Sequence, residues 1–534
     1  MRAPLIPLLG LALAGCRQDV SFVTTDTNSV KCVTVWYGDA DGDGYGGTLF
    51  ELEACEQPSG YVDNADDCDD LEPAQNPGEQ EICGDGLDND CSGDAEEACT
   101  DLIEDGVAIF GEQEGEGGFE LASGDLNGDG TLDLVVSAPG RTNGDEGAEF
   151  DGAVALFLGP HTADRSFDEA DALILGISGE KQVLGYAISV PGDIDGDGLD
   201  DLVVTGTQTR DDGNVQTGSV ATFSATTLLG AAEPLTVYDG DDLWFGAEKR
   251  DFLGASLAVA DIDGAVTIFS GASGAEESRG AVYRLSDTEG LDNRLLGIDE
   301  DDRIGLGQSI AAGDLDGDGV ADLAVGAYFR SNDDGEVYLC AEPIVGDQSL
   351  ADCPVLVAEG TNDQLGERMA SAGDVDGDGL TDLWVGAPSR DGEFIADGAA
   401  YLVSGRTDLD TLDSQTIKEA AQAWIIGVDN SDQIGSALAP GADLDGDGAA
   451  DALIGAEQLG QIKKGVALLF YGPLDGAISA GTADAAYTSE GETDRAGDEL
   501  ALLPELDALF IDAPESDRGN ANAGTAWIVD LSAP

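Results

Sequence analysis

The sequence contains few basic side chains and few soft metal ligands. Its 534 residues include 22 Lys and Arg, one His and two Met, against 109 Asp and Glu, so the formal net charge is -87. This acidity excludes nucleic acids and anionic lipid head groups as direct partners, because both are negatively charged. The one His, His161, lies in a polar segment, and no HExxH, P-loop or GxSxG motif is present. We therefore predict that the protein is not an enzyme.

The sequence also lacks an apolar run long enough to span a bilayer. The apolar stretch from residue 3 to residue 14 is too short for that and has the layout of an export signal. It ends in LAGC, which resembles the lipobox of bacterial lipoproteins and implies a signal over residues 1–15, an acylated Cys16 and a tether over residues 16–31. Cys16 is also the odd one of nine cysteines. The alternative is an ordinary cleaved signal with a stray thiol.

One nine-residue pattern occurs five times. The copies are DLNGDGTLD from Asp125, DIDGDGLDD from Asp193, DLDGDGVAD from Asp314, DVDGDGLTD from Asp374 and DLDGDGAAD from Asp443. Each has Asp or Asn at positions 1, 3, 5 and 9, Gly at position 6 and a backbone carbonyl available at position 7. All-oxygen donor sets of this kind suit calcium, but the bidentate Glu of an EF-hand is missing at position 12. The alternative is a set of solvated turns.

The loops mark a repeat of about sixty residues. Each loop runs into an apolar stretch such as LVVSAP and is followed by a further strand such as GAVALFLG, which we interpret as the closing strand. Two copies have degenerate loops, one around Asp261 and Asp263 and one at residues 504–516. Seven short-stranded units predict an all-β fold, a seven-bladed β-propeller. A Gly also lies upstream of each intact loop, at Gly118, Gly185, Gly307, Gly366 and Gly435.

Residues 101–534 resemble the FG-GAP repeats of the integrin α-subunit propeller, because loop, upstream Gly and downstream GA(P) recur in register. The Phe of the motif is replaced at Leu184, Leu365 and Ile434, which we expect to change packing only. The resemblance implies calcium on one face and partners at the opposite face or the rim, with no metal in blades three and seven. The implied ligands are Asp125, Asn127, Asp129, Thr131 and Asp133; Asp193, Asp195, Asp197, Leu199 and Asp201; Asp314, Asp316, Asp318, Val320 and Asp322; Asp374, Asp376, Asp378, Leu380 and Asp382; and Asp443, Asp445, Asp447, Ala449 and Asp451.

Residues 32–100 form a small Asp-rich module with six cysteines and no Lys, Arg or His. A module of this size and polarity needs cross-links or metal for stability. It resembles the metal-binding motif of MopE-type bacterial surface proteins, whose name suggests copper. Soft copper ligands are missing here, so calcium or structural turns are the alternatives. One or two further calcium sites are predicted at Asp39, Asp41 and Asp43 and at Asp88 and Asp90, although Gly47 stands at position 9 of the first. The pairing of Cys32, Cys55, Cys68, Cys83, Cys91 and Cys99 stays open.

The remaining two cysteines, Cys340 and Cys353, are predicted to form a disulfide between the closing strand of blade four and the opening strand of blade five. Together these features predict an exported, lipid-anchored, calcium-binding propeller on the bacterial outer membrane or cell surface. Its expected role is recognition of an extracellular protein or glycan. The alternatives are a glycan-active hydrolase on the same scaffold, which would need a pair of carboxylates in one pocket, and a structural or calcium-sequestering surface protein.

Overall fold

The computed structural model divides the chain into two compact units, residues 1–77 and 78–534. It describes residues 34–71, 75–77, 91, 99–101, 106–113, 120–143, 150–210, 216–262, 265–285, 291, 293–300, 302–341, 344–392, 394–409, 412, 414–456, 465–488, 494–516 and 523–531. The predicted signal, Cys16 and the tether lie outside these residues, as do Cys32, Cys83, Asp88, Asp90, Gly118 and Asp263. The division falls earlier than residue 100, and the module boundary there remains a prediction.

Among the described residues of the first unit, three strands form an antiparallel sheet with the first strand in the middle. These strands are β1 (Thr34–Gly38), β2 (Gly47–Ala54) and β3 (Tyr61–Val62). The turn between β1 and β2 carries the predicted metal ligands Asp39, Asp41 and Asp43. Cys68, which follows β3, is disulfide-bonded, and so is Cys91, which the division assigns to the second unit. Both belong to the predicted Asp-rich module of residues 32–100, for which cross-links were expected.

The second unit is a propeller of seven blades, which confirms the predicted fold. Each blade has four antiparallel strands. Blade one contains β6 (Leu121–Gly124), β7 (Asp133–Ser137), β8 (Ala153–Phe157) and β10 (Ala172–Leu175); blade two β11 (Leu184–Gly192), β12 (Asp201–Gly206), β13 (Ser219–Phe223) and β14 (Asp242–Phe245); blade three β15 (Leu253–Ile262), β16 (Ala265–Ala272), β17 (Ala281–Leu285) and β18 (Arg294–Leu296); blade four β19 (Ile310–Gly313), β20 (Asp322–Gly326), β21 (Glu336–Cys340) and β23 (Val355–Val357). Blade five contains β24 (Met369–Gly373), β25 (Asp382–Ala387), β26 (Ala399–Val403) and β28 (Ala421–Ile426); blade six β29 (Ile434–Leu438), β30 (Ala452–Ala456), β31 (Val466–Phe470) and β33 (Ala485–Thr488); blade seven β34 (Leu500–Leu503), β35 (Ala508–Ala513), β36 (Thr525–Asp530) and β5 (Gly106–Phe110).

Five further strands connect neighbouring blades at the rim. Each pairs in parallel with the fourth strand of the preceding blade. They are β4 (Cys99–Asp101), β9 (Arg165–Ser166), β22 (Asp347–Ser349), β27 (Gln415–Thr416) and β32 (Gly476–Ser479). The described helices are single turns or little more, at Ala225–Gly230, Ala275–Ser278, Arg330–Asp333 and Ile417–Ala420, with 3-10 turns at Phe167–Glu169, Val237–Asp239, Leu350–Asp352, Ala480–Thr482 and Pro504–Leu506. Within the described residues, none of the helices has the length and apolar character needed to cross a membrane.

The hydrophobic core lies between the blades. The buried side chains of the described residues form seven clusters, and each cluster joins two neighbouring blades. In each blade with an intact loop, the second strand is buried along its whole length, as in Asp133–Ser137 and Asp382–Ala387. This explains why the stretch after each loop is apolar on both faces of the strand.

Small residues allow neighbouring blades to approach closely. Gly152, which precedes the third strand of blade one, forms an isolated parallel β-bridge with Leu184 of blade two. It has a φ of +83°, and an added Cβ would lie 2.2 Å from the Leu184 carbonyl oxygen. A larger residue is therefore excluded there. Equivalent β-bridges join blade four to Leu365 of blade five and blade five to Ile434 of blade six. The side chains of Leu184, Leu365 and Ile434 are fully buried. Their role in packing is confirmed.

Two sequence-based interpretations are wrong in detail. The strands read as closing strands are the third strand of each blade, and a shorter, less buried fourth strand follows, as in Val355–Val357. In blade four, the upstream Gly equivalent to Gly185 is Gly305, because Ile304 makes the bridge to the preceding blade. An added Cβ at Gly305 would contact Gly271, whereas one at Gly307 would contact nothing within 4 Å. Spacing alone did not distinguish these two glycines.

The Cys340–Cys353 disulfide is present, as predicted, but it lies within one blade. Cys340 ends the third strand of blade four and Cys353 precedes the fourth strand, and Tyr338 pairs with Val355 between them. The predicted position between blades four and five is therefore wrong. The fourth strand has only three residues, so its sequence pattern does not distinguish it from the opening strand of the next blade.

Candidate metal centres

All five intact loops connect the first strand of a blade to its second strand. The loop of blade one, for example, begins directly after Gly124 and ends at Asp133, where the second strand begins. The same connection in each blade places the five loops at one end of the propeller. The predicted hairpin position is confirmed.

The carboxylate at position 1 organises each loop. In blade one, Asp125 accepts hydrogen bonds from the backbone N–H groups of Gly128 and Gly130, with N–O distances of 2.8 and 2.9 Å. The bond from position 6 recurs in the other four loops, onto Asp193, Asp314, Asp374 and Asp443. Only a sharply turned backbone can direct these N–H groups inward, which explains the Gly at position 6.

Positions 3 and 5 continue this pattern. Each position-3 side chain accepts from the backbone N–H of position 5, as Asn127 does from Asp129 at 2.8 Å. Each position-5 carboxylate accepts from the N–H of position 7, as Asp129 does from Thr131 at 2.8 Å. The position-7 residues Thr131, Leu199, Val320, Leu380 and Ala449 therefore lie where the pattern requires, and ligation by their carbonyls remains a prediction. These two hydrogen bonds therefore recur in all five loops.

The position-9 carboxylate is the buried member of each loop. Asp133 and Asp382 are 0% exposed, and Asp201, Asp322 and Asp451 are 1% exposed. Each accepts from the backbone N–H of position 2 at 2.7 to 3.1 Å. Burial raises the pKa of Asp382 to about 6, and the charges of Asp376 and Asp378 contribute to this rise. A carboxylate held in this environment is stabilised by a bound cation.

Four of the loops bring three carboxylates together, with oxygen atoms within 4.8 Å of one another. The groups are Asp193, Asp195 and Asp197; Asp314, Asp316 and Asp322; Asp374, Asp376 and Asp382; and Asp443, Asp445 and Asp451. The loop of blade one has Asn127 at position 3 but makes the same backbone hydrogen bonds. An all-oxygen set with several carboxylates and amide or carbonyl groups fits a hard divalent cation.

The two degenerate blades have shorter connections at this place. In blade three the first strand ends at Ile262 and the second begins at Ala265, so only two residues separate them. In blade seven a 3-10 turn at Pro504–Leu506 and Asp507, with φ of 50°, connect the strands. Neither connection has room for the nine-residue loop.

The first unit repeats the loop geometry. Gly42 N–H donates to Asp39, Asp43 N–H to Asp41, and Tyr45 N–H to Asp43, at 2.8, 3.3 and 2.8 Å. The carboxylates of Asp39, Asp41 and Asp43 also lie within 4.8 Å of one another. The structure thus brings the first predicted group together, and the second, at Asp88 and Asp90, lies outside the described residues.

Sequence reasoning missed a half-buried charged cluster on the propeller axis. First-strand segments from all seven blades line a cavity of about 480 Å³, which contains Glu120, Arg368 and Glu499. Arg368 lies 3.6 Å from Glu499, Gln308 donates a hydrogen bond to Glu499, and Ile188 N–H donates to Glu120. Burial raises the pKa of both carboxyls, and their proximity raises that of Glu120 further. These residues come from separate blades and share no sequence motif.

Comparisons with known proteins agree with this architecture. The FG-GAP repeat family model matches residues 117–157, 306–340 and 369–403. The MopE-type family described as "Putative metal-binding motif" matches residues 67–97. The chain therefore carries FG-GAP repeats and a MopE-type motif.

Among curated proteins, the chain is similar to integrin α subunits. It is 27% identical to integrin alpha-E of Mus musculus over 268 residues, which cover 47% of this chain and 22% of that protein. It is 30% identical to integrin alpha-E of Homo sapiens over 230 residues, covering 40% of this chain and 18% of that protein. The chain thus spans about a fifth of the length of these curated relatives. A solved structure, "Structure of Dos1 propeller", is 11% identical and covers 80% of this chain and 95% of that chain, with a TM-score of 0.40.

Proposed function

We propose that the protein is a calcium-binding surface propeller that recognises an extracellular protein or glycan. The observation that carries this proposal is the set of five equivalent acidic loops at one end of a propeller that resembles integrin α subunits. Five bound calcium ions neutralise buried carboxylates and fix the connections between first and second strands. The opposite end of the propeller is then free for a partner, as the resemblance implies.

Two exposed hydrophobic side chains favour that opposite end as the recognition surface. Phe150 and Ile395 are 50% and 71% exposed and lie in connections between second and third strands. In an antiparallel blade these connections lie at the end opposite to the metal loops. Large apolar side chains exposed in this way are common in binding surfaces.

A binding screen against extracellular proteins and glycans, with millimolar calcium and with chelator, tests this function. Phe150→Ser and Ile395→Ser should weaken binding of any ligand found. The matched control is Val345→Ser, which removes a side chain that is 66% exposed in a connection between third and fourth strands, at the metal end. Equal losses in all three variants, or calcium-independent binding, would contradict the proposal.

The anchoring of the protein is part of the same proposal. A lipid on Cys16 would place the propeller at the bacterial outer membrane or cell surface. Metabolic labelling with a radioactive fatty acid should mark the wild-type chain and fail to mark Cys16→Ser. Labelling of both chains, or of neither, would show that Cys16 carries no lipid.

One observation favours the hydrolase as a second candidate. Glu120 and Glu499 lie in one axial cavity, and their pKa values are raised, as is required of a general acid. Against this, both carboxylates already accept hydrogen bonds from protein groups. Hydrolysis of polysaccharides by the wild-type chain, lost in Glu499→Gln, would support the hydrolase, and no hydrolysis would leave the recognition function.

A further inference from the structure

The metal loop of the first unit lacks its buried ninth residue. In the propeller, position 9 is a buried Asp that accepts the N–H of position 2. In the first unit this position is Gly47, and an added Cβ would lie 2.9 Å from the Cβ of Asp70. No side chain fits at residue 47, because the turn that contains Asp70 occupies the space.

That turn takes over the hydrogen bond of the missing residue. Ala40, at position 2 of the loop, donates its N–H to Asp70 at 2.9 Å. Asn64 and Asp67 hold the turn against the loop: Gly46 N–H donates to Asn64 at 3.1 Å, and Asp67 N–H donates to the Gly46 carbonyl at 3.3 Å. The turn therefore has a fixed position beside Asp39, Asp41 and Asp43.

Asp67 is the buried carboxylate of this turn. Its side chain is 8% exposed, and its Oδ1 accepts from Asp69 N–H at 2.8 Å. Its Oδ2 is buried without a hydrogen-bond partner, and so are Oδ2 of Asp41 and Oδ2 of Asp43. Three buried carboxylate oxygens without donors are costly unless a cation binds them.

We propose that Asp67 supplies the fourth carboxylate of a calcium site formed with Asp39, Asp41 and Asp43, in place of the missing position-9 residue. Asp70 is a positioning residue that holds the loop through Ala40. The donor set is entirely oxygen and contains no His, Met or thiolate among these residues, so a hard cation suits it better than copper. The choice of calcium rests on the proposed function of the propeller loops.

Terbium replaces calcium in oxygen sites, and a tyrosine in the loop allows its binding at this site to be distinguished from binding to the propeller loops. Position 7 of this loop is Tyr45, whereas the propeller loops have Thr131, Leu199, Val320, Leu380 and Ala449 there. Excitation of a tyrosine next to the ion sensitises terbium luminescence. Tyr45→Leu should remove part of the luminescence of the full-length protein, and this part reports terbium bound at the site of the first unit. Calcium should displace this terbium.

Asp67→Asn should weaken this Tyr45-dependent binding by at least about tenfold, while Asp66→Asn, an exposed neighbour in the same turn, should leave it unchanged. Unchanged terbium affinity in Asp67→Asn would overturn the inference. Asn at this position can still accept from Asp69 N–H, so the turn is retained. As a second measurement, the double variant Asp41→Asn/Asp67→Asn should lose less terbium binding free energy than the two single variants lose together, because both side chains bind one ion. Additive losses would contradict a shared site.

The outcomes separate this inference from the proposed function. Asp376→Asn should lower the calcium stoichiometry of the propeller and leave the Tyr45-dependent signal intact. A propeller that binds no calcium, beside an Asp67-dependent terbium signal, would overturn only the proposed function. A propeller that binds calcium, beside a signal indifferent to Asp67, would overturn only the inference.

Discussion

Phe110, near the start of the propeller, pairs with Thr525, near its end. The strand Gly106–Phe110 is the fourth strand of blade seven, whose other three strands come from the C-terminal part of the chain. Blade seven is therefore built from both ends of the propeller sequence. This pairing closes the ring, and it removes the open edges that an incomplete last blade would present.

The strand Gly106–Phe110, which completes blade seven, should contribute strongly to stability. Ile109 is 2% exposed and packs in the cluster that joins blade seven to blade one. Ile109→Ala should lower the free energy of unfolding by about 2 to 4 kcal/mol, measured by urea denaturation. The control Ile395→Ala truncates the same residue type where it is 71% exposed and should change it by less than about 0.5 kcal/mol. Equal effects of the two variants would mean that the strand does not close the ring in solution.

Single loops should bind calcium independently. Asp316→Ala and Asp376→Ala each remove a carboxylate from a three-carboxylate group and should each lower the calcium stoichiometry by about one. Asp263→Ala should leave it unchanged, because only two residues separate the strands there. Calorimetric titration measures all three. Loss of a site in Asp263→Ala would show that blade three also binds metal.

The axial cluster should make stability depend on pH. Burial raises the pKa of Glu499 from an ordinary value of 4.5 to about 7, although Arg368 opposes the rise. The folded chain therefore retains this proton between about pH 4.5 and pH 7, where the unfolded chain releases it. The contribution of this proton to the free energy of unfolding is complete below pH 4.5 and is lost as pH rises through 7.

In the wild type, Glu499 should lower the free energy of unfolding by on the order of 1 to 3 kcal/mol between pH 4.5 and pH 7.5. Glu499→Gln should remove this change. Urea denaturation in saturating calcium measures it, because calcium keeps the loop carboxylates ionised. The exposed Glu505→Gln serves as control and should follow the wild type. The same pH dependence in Glu499→Gln and wild type would contradict the raised pKa.

The disulfide of blade four should stabilise the propeller through its short loop. It joins residues thirteen apart, and replacement of both Cys340 and Cys353 by Ala should lower the free energy of unfolding by about 3 kcal/mol. Peptide mapping of the unreduced protein should find these two cysteines linked to each other. A link from either to the cysteines of residues 32–99 would contradict the structure.

The sequence predicted those features that repeat in register. The seven blades, the loop positions and the packing of Leu184, Leu365 and Ile434 all follow from patterns with several copies. The fourth strands were misread because they are short and half-buried, as in Val355–Val357, so their apolar pattern is weak.

Features that depend on contacts between distant segments could not be predicted from the sequence. The pairing of Phe110 with Thr525 and the meeting of Glu120 with Glu499 join opposite ends of the propeller sequence. Asp67 reaches its loop from a separate turn, and the nine-residue pattern gives no indication of it. Local spacing carries information on loops and strands, but only the closed fold determines which side chains meet.

Measuring the melting temperature with excess chelator and with millimolar calcium tests most directly whether the five loops bind calcium. Extracellular calcium sites have dissociation constants of about 0.1 to 1 mM, so five sites should add roughly 2 to 7 kcal/mol of stability at millimolar calcium. That gain is comparable with the whole stability of a typical domain. If the five loops bind calcium, the melting temperature should be clearly higher with calcium than with chelator. The same melting temperature in both conditions would show that the loops do not bind it.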